Sequence, residues 1–123
     1  MSKKKILVAD DEPNIRLLVR KLLGKDYTIL EANDGQEAIN IARDRNPDLI
    51  LMDIMMPNMD GLTACSVIKT DPATKAIPVV ILTSVDFELN KKLAERLNAS
   101  GYMTKPFTLP ELLSVIGPLL PTC

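Results

Sequence analysis

Short apolar runs alternate with helical patterns along almost the entire chain. Five runs bounded by polar or turn residues predict β-strands, at positions 5–9, 27–32, 48–53, 78–82 and 101–104. Between the runs, apolar residues recur at the i, i+3, i+4, i+7 spacing that buries one face of a helix. In the first such segment they are Ile15, Leu18, Val19 and Leu22. This alternation predicts an α/β domain, a three-layer sandwich in which a doubly wound parallel sheet carries helices on both faces.

Capping and turn residues predict where the helices begin and end. The segments 34–37 and 108–111 have the spacing of a capping box at a helix N-terminus. A further helix is predicted at 86–98. Gly117 and Pro118 should end or kink the last helix, because proline lacks the N–H donor that a helix interior needs. No repeat or linker interrupts the pattern, so we expect one domain over residues 1–123.

Composition narrows the class of protein. A net charge of −1 gives no reason to expect direct binding to nucleic acid. No apolar stretch approaches the roughly 20 residues that a membrane span needs. Cys65 and Cys123 have no metal-binding spacing, which favours a reduced, cytoplasmic protein. The chain contains no histidine, so any phosphohistidine in its chemistry must belong to a partner.

Three carboxylates follow two of the predicted strands. Asp10 and Asp11 come directly after the first apolar run, and Asp53 closes the third. The carboxyl ends of parallel strands meet at one edge of the sheet, so these acids should converge there. Carboxylates held together resist ionisation, and a divalent cation that prefers oxygen ligands would offset this cost. We therefore expect a Mg²⁺ site, at which Mn²⁺ is an alternative ion.

A hydroxyl and an ammonium group should reach the same edge. Thr83 ends the fourth strand and Lys105 follows the fifth. If the strand order is 2-1-3-4-5, the crevice lies between the first and third strands, where the acids converge. An oxygen nucleophile, a metal and donors for phosphoryl oxygens are the requirements of phosphoryl transfer.

In these residues the chain resembles the receiver domains of two-component response regulators, and among them the chemotaxis regulators. The matching motifs are Asp10-Asp11-Glu12, Met52-Asp53, Met56-Pro57, Met59-Asp60-Gly61, Thr83-Ser84 and Lys105-Pro106-Phe107. The resemblance extends from Lys4 to about Leu120. It implies a flavodoxin-like (βα)5 fold with the sheet order 2-1-3-4-5, and a single receiver domain.

The resemblance also implies roles for the acids. Asp53 would be the phosphoacceptor, receiving a phosphoryl group from a histidine kinase or a histidine phosphotransfer protein. Asp11 and Asp53 would bind Mg²⁺ directly, together with the backbone carbonyl of Met55. Asp10 would contribute through water.

The remaining roles concern the phosphoryl oxygens and the response to them. Lys105 would pair with Asp53 and then with a phosphoryl oxygen, and Thr83 would donate its hydroxyl to another. The peptide between Lys105 and Pro106 would be cis. Thr83 and Tyr102 would form a switch that alters the face of the fourth helix, fifth strand and fifth helix.

Three function classes remain open. The first is a stand-alone, phosphorylation-controlled binding module, which is not an enzyme beyond catalysing its own phosphorylation and dephosphorylation. The second is a receiver cut from a longer transcription factor or signalling enzyme. The third is a metal-dependent phosphohydrolase with an aspartyl-phosphate intermediate. That class has a second acid two residues after its nucleophile, where this chain has Met55.

Several residues also allow a purely structural interpretation. Asp10 and Asp11 could cap the first helix, since acids favour its positive end. Tyr102 could be ordinary strand packing, and Cys65 is expected in the core. The segment 112–116 has no Lys or Arg to pair with acids across a two-fold dimer, so we expect a monomer or weak dimer that binds an unknown downstream protein.

Overall fold

The computed structural model describes residues 3–83, 92, 95, 96 and 98–120. Its centre is a five-stranded sheet in the order β2-β1-β3-β4-β5, in which all neighbouring strands are parallel. The strands are β1 (Lys5–Ala9), β2 (Thr28–Ala32), β3 (Leu49–Asp53), β4 (Val79–Thr83) and β5 (Gly101–Thr104). The predicted fold and strand order are confirmed.

Helices lie between the strands and after the last strand. They are α1 (Pro13–Leu23), α2 (Gly35–Arg45), α3 (Gly61–Thr70) and the C-terminal helix (Leu109–Ile116), which a 3₁₀ turn (Gly117–Leu119) follows. Much of the predicted helix at 86–98 lies outside the described residues, as do Ser84 and Cys123; residues 92, 95 and 96 are helical. Among the described residues, no helix has the length and apolar character that crossing a membrane requires.

Two apolar clusters cover the two faces of the sheet. On one face, Leu7 and Ala9 of β1 are buried with residues of α2 and α3. On the other face, the alternate residues Ile6 and Val8 are buried with residues of α1 and the C-terminal helix. Side chains alternate between faces along a strand, so a strand covered on both sides must be apolar at every position. This explains the continuous apolar runs, and Cys65 lies in the first cluster as predicted.

The helix ends follow the capping signals, with one difference. Thr108 and Glu111 form a complete capping box. At α2, Asp34 accepts from the Glu37 N–H as expected, but Glu37 Oε1 accepts from the N–H of Asn33 instead of that of Asp34. The predicted return hydrogen bond, from the Asp34 N–H to the Glu37 side chain, is therefore wrong by one residue. The N–H groups of Glu37 and Asn33 nevertheless each have a side-chain acceptor. The last helix ends at Ile116, directly before Gly117.

Candidate functional site

The carboxyl edge of the sheet collects buried polar residues. Asp10 directly follows β1, Asp53 is the last residue of β3 and Thr83 is the last residue of β4. Four polar or charged residues are buried in the described part of the chain, and these are three of them. The fourth, Thr74, donates to the Ile68 carbonyl elsewhere. Because buried polar groups are costly unless they are paired, this edge is where a function is expected.

Lys105 connects the acids of this edge. Its Nζ lies 3.0 Å from Asp10 Oδ2, 3.3 Å from Asp53 Oδ1 and 3.3 Å from Glu12 Oε1. The side chain is only 7% exposed, and Asp10 and Asp53 are buried, so water screens these two pairs less than it screens pairs at the protein surface. The peptide bond between Lys105 and Pro106 is cis.

The charges at the site change its ionisation. Burial, followed by the negative charge of Asp10, raises the pKa of Asp53 to about 6, although Lys105 opposes both effects. Burial alone would lower the pKa of Lys105. The hydrogen bond to Asp10 and the charge of Asp53 outweigh burial, so the pKa of Lys105 is raised above its ordinary value. The lysine is therefore a permanent cation, and Asp53 ionises less readily than an ordinary carboxyl group does.

Three carboxylates form a group that could hold a cation. Oxygen atoms of Asp10, Asp11 and Glu12 lie within 4.8 Å of one another. Asp10 is buried, whereas the other two are exposed. An all-oxygen ligand set with exposed members fits Mg²⁺, which keeps several of its own waters. Asp53 is not in this group. Glu12 is in it, although the sequence suggested no role for Glu12. The adjacency of three acids in the sequence could have indicated Glu12.

The loop after β3 is attached to the start of α2. Asn58 Nδ2 donates to Asp34 Oδ2 at 2.8 Å, and the Gly35 N–H donates to the Met59 carbonyl at 3.1 Å. Asn58 has a φ of 66°, in the left-handed region that asparagine tolerates better than most residues. Met55 is the second residue of this loop and is 72% exposed. Its role as a carbonyl ligand stays a prediction.

A second network lies beside the acid group. Arg16 Nη1 donates to the Asp10 carbonyl oxygen at 2.6 Å, and Arg16 Nε donates to Glu31 Oε1 at 3.1 Å. Arg20 binds the same Glu31 carboxylate. The sequence pattern did not indicate this network, because its members lie on α1 and β2 and only the fold brings them together.

The two predicted switch residues lie on neighbouring strands. Tyr102 is the register partner of Ile81, and Thr83 pairs with Thr104. Tyr102 is partly buried and packs against the cluster that contains α2 and α3. This packing fits both the switch and the purely structural interpretation. The segment 84–91, which the switch would move, lies outside the described residues.

Known proteins are similar to this chain in sequence and in fold. A family model described as "Response regulator receiver domain" matches residues 6–117. Chemotaxis protein CheY of Halobacterium salinarum is 37% identical over 118 residues, which cover 95% of this chain and 97% of that protein. The structure of chemotaxis protein CheY4 of Vibrio cholerae matches with a TM-score of 0.90 at 29% identity, covering 97% of this chain and 100% of the other.

Longer proteins also match. Response regulator PleD of Caulobacter vibrioides is 45% identical over 103 residues, which are 83% of this chain but only 23% of PleD. The chain thus spans less than a quarter of the first curated relative. Since the family model covers most of the sequence and the relatives agree with it, the chain belongs to the family of response regulator receiver domains.

Proposed function

We propose that this domain is a phosphorylation-activated signalling switch, with Asp53 as the phosphoacceptor. The observation that carries the proposal is the buried Asp53 carboxylate at the end of β3, in contact with Lys105 and close to the acid group of Asp10, Asp11 and Glu12. A nucleophilic oxygen beside a fixed cation and a cation-binding acid group is the arrangement that phosphoryl transfer requires.

The donor must be a partner, because this chain has no histidine. Receiver domains of this kind are phosphorylated by histidine kinases, and we propose such a kinase or a histidine phosphotransfer protein here. A carboxylate oxygen of Asp53 forms a bond to phosphorus while the P–N bond of the phosphohistidine breaks. The imidazole leaves with the bonding electron pair and takes up a proton. Asp53 then carries an acyl phosphate.

The chain's own residues divide the remaining tasks. Asp10, Asp11 and Glu12 would hold Mg²⁺, with Asp53 and the Met55 carbonyl as further ligands implied by the family. The ion supplies positive charge that stabilises the phosphoryl oxygens. Lys105 already touches Asp53 and supports the same oxygens as a hydrogen-bond donor. We propose that the Thr83 hydroxyl contributes another donor, and its burial at the end of β4 supports this role.

A phosphohydrolase is less well supported. The position two residues after Asp53 is Met55, whose thioether cannot act as a general acid or base. We therefore propose that the domain catalyses only its own phosphorylation and dephosphorylation. A receiver within a longer protein remains the second proposal, because this chain matches a part of PleD.

Incubation with acetyl phosphate and Mg²⁺ should load one phosphoryl group onto Asp53, which mass spectrometry can detect. Asp53→Asn should abolish the loading, and Asp11→Asn should reduce its dependence on Mg²⁺. Asp26→Asn is a matched control, because Asp26 is exposed and lies at the opposite end of α1 from the acid group. Loading that persists in Asp53→Asn would contradict the assignment of the acceptor.

Phosphorylation should also be sensed at Tyr102. We propose that Thr83 moves towards the phosphoryl oxygens and that Tyr102 fills the released space, changing the face formed by 86–98, β5 and the C-terminal helix. The support is that the two side chains lie on adjacent paired strands. A stable phosphoryl mimic should change hydrogen exchange at Tyr102. A change confined to the residues around Asp53 would make Tyr102 ordinary packing.

A further inference from the structure

Arg16 is not a member of the acid group, but its side chain contacts the backbone of Asp10, which is. Its side chain is only 15% exposed. One nitrogen, Nη1, donates to the carbonyl oxygen of Asp10 at 2.6 Å, and another, Nε, donates to Glu31 Oε1 at 3.1 Å. The side chain therefore joins α1 to the end of β1 and to β2. A planar guanidinium directs its donors at fixed angles, so two such contacts define its orientation.

The anchor of Arg16 is itself fixed. Arg20 donates from Nε and Nη2 to Glu31 Oε2, at 3.1 and 2.7 Å, and from Nη2 to the Ile29 carbonyl at 3.2 Å. The hydrogen bond from Arg20 is the largest of the effects that lower the pKa of Glu31. Glu31 is therefore an ionised acceptor in a fixed position, to which Arg16 can donate a hydrogen bond.

The contacted carbonyl belongs to the turn that presents the carboxylates. The Asp10 carboxylate accepts the Glu12 N–H at 2.9 Å and Lys105 Nζ at 3.0 Å. Its carbonyl oxygen is part of the peptide unit that leads into Asp11, and this unit is planar. Holding that oxygen therefore limits the rotation of the backbone from which Asp11 projects.

We propose that Arg16 is a positioning residue, which holds the Asp10–Asp11 peptide in the orientation at which the acid group binds Mg²⁺. The inference rests on the proposed function, because it concerns the cation that this function uses. Arg16 has no direct contact with the ion in this role. It acts through the carbonyl of Asp10, supported by Glu31.

Whether Mg²⁺ affinity falls or rises when Arg16 is replaced distinguishes a positioning role from an effect of its charge. Arg16 is a cation close to a site for a cation, so its charge alone opposes Mg²⁺ binding. Removing the charge would tighten binding if electrostatics decided the result. Removing the hydrogen bond would weaken binding if positioning decided it, since the loss of a residue that orients a metal ligand typically costs about 10- to 100-fold in affinity.

The test is the Mg²⁺ dissociation constant of Arg16→Met, measured by isothermal titration calorimetry. We expect it to rise about tenfold relative to the wild type. Arg20→Met is the matched control, because it also removes a cation bound to Glu31 but leaves the hydrogen bond to the Asp10 carbonyl in place. Because Arg20 acts on Glu31 and Arg16 keeps both of its own contacts, the dissociation constant of Arg20→Met should rise by no more than about twofold. Hydrogen exchange at the Glu12 amide should accelerate in Arg16→Met alone.

Unchanged or tighter binding in Arg16→Met overturns the inference and leaves the proposed function intact. An equal loss in Arg20→Met also overturns it, because the loss would then reflect general destabilisation. A wild-type protein that binds no Mg²⁺ overturns the proposed function and this inference with it. If circular dichroism shows that Arg16→Met is unfolded, Arg16→Lys replaces it. One ammonium cannot reproduce two directed donors, so a smaller loss is expected, and wild-type affinity would contradict the inference.

Discussion

Replacing Gly61 by alanine should destabilise the domain by about 2–4 kcal/mol, a large effect for the addition of one methyl group. A Cβ at this position would lie 1.9 Å from the carbonyl oxygen of Asp53 and 2.7 Å from its carbonyl carbon. Both atoms are backbone at the end of a buried strand, so neither can move away without shifting β3. The Gly61 N–H also donates to the Ile54 carbonyl at 2.9 Å, which holds the two segments together.

Urea denaturation of Gly61→Ala and Gly117→Ala measures this effect against a control. A Cβ at Gly117 would meet nothing within 4 Å, and its φ of −53° is helical. Alanine should therefore be neutral or stabilise by about 0.4–1 kcal/mol there, because it restricts the unfolded chain. Equal midpoints for the Gly61 variant and the wild type would show that β3 and α3 can separate at no cost. The displaced Asp53 carbonyl should also slow phosphorylation of the Gly61 variant.

In the absence of divalent cations, Asp53→Asn should stabilise the protein at pH 8 by up to about 3 kcal/mol, although it removes an ion pair. The folded protein raises the pKa of Asp53 from 3.8 to about 6, through burial and then the charge of Asp10. A shift of this size corresponds to about 3 kcal/mol between the two protonation states. Asparagine has nearly the same shape as aspartate and carries no charge, so it avoids the cost of burying an ionised carboxylate.

The sign of the pH dependence follows from linkage. Between pH 3.8 and about 6, folded Asp53 binds more protons than the unfolded chain does, so its contribution to stability falls as the pH rises through this window. The advantage of Asp53→Asn should be largest above pH 6 and vanish below pH 3.8. Comparing each variant with the wild type at the same pH removes the contributions of other acids.

Thermal melts in EDTA at pH 5 and pH 8 measure this difference. Asp71→Asn is a control of opposite sign. The hydrogen bond from the Ala73 N–H, and then that from Arg43, lower the pKa of Asp71, so its neutral variant should lose stability at pH 8. A lower melting temperature for Asp53→Asn at pH 8 would show that the Lys105 ion pair outweighs the burial of the carboxylate.

The sequence predicts the fold well because a strand that is buried on both faces of the sheet needs a continuous run of apolar residues, which is visible in the sequence. The runs at β1 and β3 are apolar at consecutive positions, and each is followed or closed by an acid that marks the carboxyl edge. The predicted strand 78–82 is shifted by one residue from β4 (Val79–Thr83), because Thr83 continues the ladder opposite Thr104.

The site is predictable only where its residues follow strand ends. Asp10, Asp53 and Lys105 do so, and the structure brings them into contact around one ammonium group. The contact of Arg16 with Glu31 depends on how α1 packs against β2, and that of Asn58 with Asp34 depends on two loops meeting. Neither pair has a spacing in the sequence that predicts it, so only the assembled fold shows them.

The order in which the site's residues leave the ribosome follows from the position of Lys105 after β5. The β2-β1-β3 half of the sheet, with Asp10 and Asp53, is complete in the chain before β4 and β5 are synthesised. The lysine that contacts both carboxylates arrives last. A nascent chain that has formed its first three strands therefore holds these acids without their counterion. Until Lys105 emerges, their repulsion is relieved by a dissolved cation or by a proton on one of the two carboxylates.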